Sequence, residues 1–414
     1  MHTEFMGRVP LSCCLAIGLI LGACTRSEPP VLDDPFPISV PAGENVLGPR
    51  LSRGHDGTVL LSWMRRDESG ATLRFSSLNV DKWGPAVEVV SDPSMFVNWA
   101  DLPSVQPLGE DHWVAHWLSK SGAAAYAYDV LLAFSTDHGQ TWGDAIRPHD
   151  DDTQTEHGFV SIYPDADAAA LLWLDGRKTV NEATGNPTAS SMTLRAAVVA
   201  QNGTRRAEQL VDDIVCDCCQ TDVAVSADGP IAVYRNRTVD EIRDIYVTRF
   251  RDGLWEPGVA LADDGWKIRG CPVNGPAIDA HGDTVAIAWF SAANDHPVVR
   301  AQISTNGGKT FKEAVEIAAR KVSGHVDVAI VDRHSAVVSW VESDNRGTNA
   351  IKLRSVTSAG LLGPPQVVGR SELRHIYPQM VRSDDVLILA WTDERNDATR
   401  LASIKVPILG FHER

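Results

Sequence analysis

The stretch TVLLSW at residues 58–63 is mostly apolar, ends in tryptophan, and has six later counterparts along the chain. These are HWVAHW (112–117), AALLWL (169–174), PIAVYR (230–235), VAIAWF (285–290), AVVSWV (336–341) and LILAWT (387–392). Their aromatic residues are 54, 56, 61, 55, 51 and 51 positions apart. A period of about fifty, with strand-like alternation and no helical heptads, is typical of a propeller of four-stranded blades. The pattern predicts an all-β, seven-bladed β-propeller.

A second recurring piece precedes each aromatic strand and predicts the innermost strand of each blade. The seven copies are GPRLS, LPSVQ, VSIYP, TDVAV, GPAID, VDVAI and YPQMV. After Trp391 the sequence suffices for a third strand but not a fourth. We expect FPISV at residues 36–40 to fill that place, because closing the ring removes an exposed sheet edge. A single propeller domain over residues 36–410 follows, with two separate all-β domains as the alternative.

The N-terminus carries an apolar run, LSCCLAIGLILGA, that is too short to span a bilayer and reads as an export signal. Its end, Leu21 to Cys24, resembles the lipobox of bacterial lipoproteins, in which the cysteine is acylated and becomes the first residue. The resemblance implies a signal peptide over residues 1–23, a lipidated Cys24 and a tether over 24–35. Position 25 is threonine and not the aspartate that retains such proteins at the inner membrane. The resemblance therefore implies an outer-membrane lipoprotein of the bacterial cell envelope. An ordinary signal peptide is the alternative.

The formal net charge of −16 excludes one class of partner. Affinity for nucleic acid comes largely from neutralising phosphates, and this chain has no basic tract to do so. The same lack argues against charge-driven adhesion to anionic lipid. We expect membrane contact through the lipid anchor only.

Two turns are more alike than the rest of the repeats. FSTDHGQTW carries Ser135, Asp137, Gly139, Thr141 and Trp142, and ISTNGGKTF carries Ser304, Asn306, Gly308, Thr310 and Phe311. Both resemble the Asp-box, S-x-D-x-G-x-T-W, of the sialidase-like BNR-repeat propellers. The Asp or Asn side chain caps the turn, glycine takes a conformation others avoid, and the aromatic plugs the space between sheets.

The resemblance implies a fold more firmly than an activity. In that family the Asp-boxes are structural and lie opposite the active site, and the usual sialidase has six blades, which is the alternative count here. Its catalytic set comprises three arginines, a tyrosine activated by a glutamate, an acid/base aspartate and an early X-R-I-P motif. The nearest early match is Pro49, Arg50, Leu51, in the wrong order, and the catalytic residues stay unassigned. Tyr377 could face the centre as a ligand contact or be a core aromatic.

Cysteine and histidine residues recur in one kind of loop, the loop that leads into the innermost strand of a blade. Every cysteine of the mature chain except Cys24 lies there, with three histidines: Cys216, Cys218, Cys219, Cys271, His157, His325 and His375. Disulfides are favoured in an exported protein. A bridge from one of the three clustered cysteines to Cys271 would be unstrained, whereas a bridge between cysteines that are adjacent or two positions apart would be strained. Two thiols would remain. A structural disulfide, a copper or zinc site with the histidines as ligands, and a redox-active bridge all stay open.

Arginine recurs in the other loops expected at the same mouth, just after the aromatic strands. The candidates are Arg65, Arg177, Arg237, Arg346 and Arg395. Guanidinium groups there could hold a carboxylate or phosphate, or could simply pair with nearby acids such as Asp175 and Asp393.

These observations lead to three functional hypotheses. The first is a sialidase-like propeller that binds, and in its enzymatic form hydrolyses, an anionic glycan or similar small anionic ligand at the channel mouth. The second is a copper- or zinc-binding propeller that uses the Cys/His residues. The third is a non-catalytic interaction scaffold.

Overall fold

The computed structural model describes residues 1–2, 28–180, 191–344 and 347–409, which form seven antiparallel sheets arranged as a seven-bladed β-propeller. Two short strands come first, β1 (Val31–Leu32) and β2 (Phe36–Pro37). Blade 1 has β3 (Val46–Arg53), β4 (Val59–Asp67), β5 (Gly70–Asn79), β6 (Lys82–Trp83) and β7 (Val87–Asp92). Blade 2 has β8 (Ser104–Pro107), β9 (Trp113–Lys120) and β10 (Tyr128–Ser135). Blade 3 has β11 (His157–Asp165), β12 (Ala168–Asp175), β13 (Thr193–Val199) and β14 (Arg205–Asp212).

The remaining blades follow in the same order. Blade 4 has β15 (Asp222–Ser226), β16 (Gly229–Arg235), β17 (Ile245–Arg251), β18 (Leu254–Trp255) and β19 (Val259–Ala260). Blade 5 has β20 (Ala277–His281), β21 (Thr284–Ser291), β22 (Val298–Ser304) and β23 (Val315–Ala319). Blade 6 has β24 (Val322–Asp332), β25 (Ser335–Ser343), β26 (Asn349–Thr357) and β27 (Gln366–Ser371). Blade 7 has β28 (Gln379–Ser383), β29 (Val386–Arg395) and β30 (Ala398–Leu409).

Helix is almost absent from the part of the chain that the structure describes. It is limited to two 3-10 turns, Arg177–Thr179 and Ala293–Asp295. Within those described residues, no helix has the length and apolar character that crossing a membrane requires.

The ring is closed by the N-terminal segment. Strand β2 pairs with β30 through Phe36 opposite Lys405, and β1 pairs with its end through Val31 opposite Leu409. FPISV thus supplies the missing outer strand of blade 7, as the sequence predicts. Val31 and Leu32, which fall within the predicted tether of residues 24–35, belong to the sheet of blade 7. Cys24 lies outside the described residues.

Blade 2 departs from the four-stranded prediction. Its sheet contains three strands, and a single bridge between Leu132 and Ile146 occupies the place of the fourth.

The hydrophobic core is divided among the junctions between blades. Seven clusters of buried side chains each join two consecutive blades, including blades 7 and 1. The repeated aromatics lie in these clusters or beside them and are at most 4% exposed: Trp63, Trp117, Trp173, Tyr234, Trp289, Trp340 and Trp391. The strand that carries them is covered on both faces, which explains its apolar sequence.

The Asp-box turns have the geometry that their residues predict. Asp137 Oδ1 accepts a hydrogen bond from the Thr141 backbone N–H at 2.9 Å, and Ser135 Oγ accepts one from Gly139 at 2.8 Å. Asn306 and Ser304 make the equivalent contacts in blade 5. Both turns follow a third strand and fix the path of the chain at the face of the ring opposite the loops that lead into the innermost strands.

Aspartates on three innermost strands fasten one blade to the next. Each carboxylate accepts a hydrogen bond from a backbone N–H of the following blade: Asp222 from Ile278 (2.9 Å), Asp279 from Ile330 (2.7 Å) and Asp327 from Met380 (2.7 Å). Burial raises the pKa of all three carboxyl groups, that of Asp327 to about 7.

Candidate functional site on the top face

The loops that lead into the innermost strands meet on one face of the ring, which we call the top face. Contacts join loops of blades that are not consecutive. Gln220 Nε2, before blade 4, donates to the Ala100 carbonyl, before blade 2, at 2.8 Å. The ring of Trp99 stacks on His375, before blade 7, with centroids 4.7 Å apart. Residues in the loops that lead into the innermost strands of different blades therefore lie on the same face of the ring.

The central channel below this face is a polar cavity of about 240 Å³. Arg50 and Asp222 face each other in it, with Nη2 and Oδ1 3.8 Å apart. Tyr377 also lines it, and burial raises the pKa of its hydroxyl far above the usual value. The Tyr377 ring contacts His325 edge-on at 5.4 Å. The structure thus places Tyr377 at the channel wall near the top face.

Aromatic rings are partly exposed around the channel opening. Trp99 is half-buried between His375, which is exposed, and His325, which is buried. Phe96 of the same loop stacks on Tyr128 at 4.1 Å and meets Tyr126, which is 60% exposed. Exposed aromatic faces of this kind can stack on apolar faces of a ligand.

A hydrogen-bonded acidic group lies beside these rings. The Tyr128 hydroxyl is 2.9 Å from Glu156 Oε1 and 3.2 Å from Asp101 Oδ2. Burial is the main reason that the pKa values of Asp101 and Glu156 both rise to about 7. Burial and the two carboxyl groups also raise the pKa of Tyr128 well above its usual value. At neutral pH this group therefore holds exchangeable protons on carboxyl oxygens, while the phenol stays protonated.

A third carboxylate acts on Glu156. The negative charge of Asp217 contributes to the raised pKa of Glu156. Asp217 itself is 34% exposed and pairs with Arg237, its Oδ2 lying 2.8 Å from Nη1. The two carboxyl groups thus differ in environment, one largely buried and the other salt-bridged at the surface.

The four cysteines Cys216, Cys218, Cys219 and Cys271, which we call the cysteine cluster, lie on the same face. Cys218 and Cys271 form a disulfide between the loops before blades 4 and 5. Cys216 and Cys219 are free, 1% exposed, and their sulfurs are 2.8 Å apart. They are three positions apart, so the strain expected for bridges between cysteines adjacent or two apart does not apply to this pair. Cys271 is exposed and Cys218 half-buried, so the bridge is more accessible than the two free thiols.

Two buried arginines set the electrostatics of the free thiols. Arg243 Nη1 donates to Cys216 Sγ at 3.4 Å, and Arg235 lies nearby, its guanidinium bonded to the carbonyls of Asn274 and Phe290. The hydrogen bond from Cys219, with the charges of Arg235 and Arg243, lowers the pKa of Cys216 to about 6 against the opposing effect of burial. Burial and the neighbouring Cys216 raise the pKa of Cys219.

His157 belongs to a separate group between blades 2 and 3. Its ring stacks on that of His149, with centroids 3.9 Å apart. Asp151 Oδ2 lies 3.1 Å from His157 Nε2 and 3.2 Å from His149 Nδ1, and Asp129 Oδ1 lies 3.7 Å from His157 Nδ1. Burial lowers the pKa of His157, but the bond to Asp151 and the surrounding carboxylates outweigh it, and the net shift is upward.

The seven metal candidates thus occupy three places among the described residues. The sulfurs of Cys216, Cys218 and Cys219 lie within 4.8 Å of one another, and Cys218 is already bridged. His157 has donor atoms within the same limit of His149 and Asp129. His325 and His375 pack on Trp99 instead. A cation could be held by sulfur at the first place or by imidazole and carboxylate at the second.

The predicted ligand-binding arginines differ in their surroundings. Arg177 pairs with Asp175 and Asp151 at 2.6 and 3.1 Å and with Glu208 at 2.8 Å. Arg237 pairs with Asp217 and Glu241. Arg65 is exposed on β4. Arg346 and the side chain of Arg395 lie outside the described residues.

Sequence reasoning missed Trp99, Asp101, Tyr128, Glu156 and His149. All but Tyr128 were within reach of the argument used for cysteine, since Trp99, Asp101, His149 and Glu156 also precede innermost strands. Nothing in the residue types alone distinguishes these two acids from the many exposed ones.

No protein-family profile and no curated protein matches this sequence. Solved structures of similar fold include a protein of unknown function from Dyadobacter fermentans, at 12% identity over 91% of this chain and 99% of that one, with a TM-score of 0.52. The polysaccharide lyase Uly1 is similar at 8% identity over 88% and 90%, with a TM-score of 0.50. The NanB sialidase of Streptococcus pneumoniae is similar at 9% identity over 86% and 84%, with a TM-score of 0.45. At such identities the likeness to the first two structures shows a shared fold and nothing more.

Proposed function

We propose that the chain binds a glycan on the top face and hydrolyses a glycosidic bond with Glu156 as the proton donor. The observation that carries the proposal is the Tyr128 hydroxyl held between the carboxyl groups of Glu156 and Asp101. A carboxyl group with a pKa of about 7 beside exposed aromatic rings is suited to protonating a leaving group at neutral pH. The shared fold with a polysaccharide lyase is an analogy of fold only.

The roles follow from the two environments. Glycoside hydrolysis uses one carboxylic acid as proton donor and a second carboxylate as base or nucleophile. We assign the acid to Glu156 and the second carboxylate to Asp217, whose Oδ2 lies 2.8 Å from Arg237 Nη1. Tyr128 is assigned a positioning role, because its raised pKa and burial disfavour a phenolate nucleophile.

The aromatic rings are assigned to ligand binding. Trp99 and His375 offer a stacked pair at the channel opening, and Tyr126 offers an exposed ring nearby. Arg177 and Arg237 already pair with carboxylates, so the proposal does not depend on an arginine grip on an acidic sugar.

The test is a panel of neutral and acidic polysaccharides, with binding followed by affinity electrophoresis and hydrolysis by release of reducing ends. Glu156→Gln should lower hydrolysis by about 100-fold or more with binding retained, because it removes the proton donor. Trp99→Ala should weaken binding by about tenfold. Glu256→Gln, an exposed glutamate after the third strand of blade 4, is the matched control and should change neither.

Two outcomes would contradict the proposal. Hydrolysis that survives in Glu156→Gln would remove the assigned acid. Failure of the folded wild-type chain to bind any member of the panel would remove the function itself.

We also propose that the chain is anchored in the cell envelope by a lipid on Cys24, on the strength of its lipobox-like sequence. Cells fed labelled palmitate should incorporate the label into the wild-type chain, and Cys24→Ser should abolish incorporation. Label in the variant would show that the anchor is elsewhere.

A further inference from the structure

The cysteine cluster places two free thiols directly behind a disulfide. The sulfurs of Cys216, Cys218 and Cys219 all lie within 4.8 Å of one another, and Cys218 is bonded to Cys271. The free pair is buried and the bridge reaches the surface at Cys271. Thiol–disulfide exchange requires a thiolate near a disulfide sulfur, and this arrangement supplies both within one chain.

We propose that the disulfide moves between two positions, Cys218–Cys271 at the surface and Cys216–Cys219 in the interior, by exchange within the cluster. The Cys216 thiolate attacks Cys218 Sγ and releases the Cys271 thiolate. The Cys216–Cys218 bond that forms joins residues two positions apart and is therefore strained, so it serves only as a transient intermediate. Cys219 then gives up its proton and attacks Cys216 Sγ, forming the Cys216–Cys219 bond and releasing the Cys218 thiolate. One proton passes from Cys219 to the released thiolates, and no net oxidation occurs.

Each partner in this exchange has surroundings that suit its step. Arg243 and Arg235 lie beside Cys216, so its thiolate, the attacking form, is stabilised. Cys219 Sγ lies 2.8 Å from Cys216 Sγ, within reach for the second attack. Cys216 and Cys219 are separated by two residues, the spacing of the C-x-x-C motif of disulfide oxidoreductases.

The exchange gives the top face a thiol-reactive function. With the bridge at the surface, a thiolate of a dithiol can attack exposed Cys271 Sγ and displace the Cys218 thiolate. The second thiol of the dithiol then displaces the Cys271 thiolate, so the dithiol leaves as a disulfide and the cluster has accepted two electrons. With the bridge in the interior, Cys271 is a free surface thiol. The substrate class is therefore a dithiol or disulfide.

The test maps the disulfides of the purified chain in glutathione buffers of graded potential, with a chelator present. Samples are quenched in acid, free thiols are alkylated, and peptides are identified by mass spectrometry. We expect one bridge and two free thiols within the cysteine cluster over a range of potentials, with both pairings in the same sample.

Variants separate the two positions. Cys271→Ser should carry its bridge at Cys216–Cys219 after mild oxidation, whereas Cys219→Ser should keep Cys218–Cys271 and show no other pairing. Two permanent bridges at every potential, or the absence of Cys216–Cys219 in both wild type and Cys271→Ser, would overturn the proposal. The wild-type mapping needs no substitution, so the test holds even if a variant does not fold.

Discussion

Gly139 lies in the Asp-box turn of blade 2, with a φ of 74° that other residues rarely adopt. A Cβ there would lie 2.6 Å from Phe75 Cζ and 3.0 Å from Trp113, across the junction between blades 1 and 2. We expect Gly139→Ala to lower the free energy of unfolding by about 3 kcal/mol, through backbone strain and the clash together. Gly203→Ala is the control, since φ is 80° there but the space is open. It should cost about 1 kcal/mol in urea unfolding, and equal losses would refute the role of the packing contact.

Substitution of Asp327 tests the hydrogen bonds that join the innermost strands of consecutive blades. Its pKa rises from 3.8 to about 7 in the folded chain, so between those values the folded state binds more protons than the unfolded state. Its contribution to stability therefore falls as the pH rises through that window. Asp327→Asn keeps an acceptor for the Met380 N–H and removes the charge, so we expect it to be about 2 kcal/mol more stable than wild type at pH 8 and no more stable at pH 4.

The measurement is urea unfolding at both pH values. Asp385→Asn, at an exposed position, should leave stability unchanged at either pH. If Asp327→Asn were less stable than wild type at pH 8, the ionised carboxylate would be strengthening the hydrogen bond to the Met380 N–H.

Residue roles were the least accessible part of the molecule from sequence. The register of Cys216, Cys218, Cys219 and Cys271 could be predicted, because it follows from counting strands. The acid group could not, since Asp101 and Glu156 acquire their raised pKa values only when Tyr128 and the surrounding loops bury them. Burial of a polar side chain depends on contacts between segments far apart in the chain.

The N-terminal strand is the element on which ring closure depends. Ile38 follows β2, donates its N–H to the Ser403 carbonyl at 2.8 Å, and packs in the core cluster between blades 7 and 1. Ile38→Ala should lower the free energy of unfolding by about 3 kcal/mol, because it leaves a cavity in that junction. Val31→Ala, at a position 57% exposed in β1, should cost less than about 0.5 kcal/mol. Similar small losses from both changes in urea unfolding would show that the closing strand contributes little.

Strands were predicted better than any other feature, for a physical reason. Those that carry Trp63, Trp173 and the other repeated aromatics are buried on both faces, so their apolar character does not depend on distant detail. The outer strands are half-exposed and irregular, which is why the reduced fourth strand at Ile146 of blade 2 could not be foreseen.

The whole ring should unfold as one cooperative unit. Each blade shares a core cluster with the blades on either side, and the cluster between blades 7 and 1 leaves no free end from which unfolding could begin. Tryptophan fluorescence and far-ultraviolet circular dichroism should therefore give coincident urea transitions. Refolding from urea should retrace both curves, which controls for aggregation. Separate transitions would favour independent halves, the two-domain alternative raised by the sequence.

Because Val31 pairs with Leu409, the first strand and the end of the last strand lie side by side in the sheet of blade 7. Fluorescent dyes attached beyond these two residues would sit within energy-transfer range only while blade 7 is complete. Their transfer efficiency would report the opening of this seam in real time, from a position far from the glycan and thiol chemistry proposed for the top face.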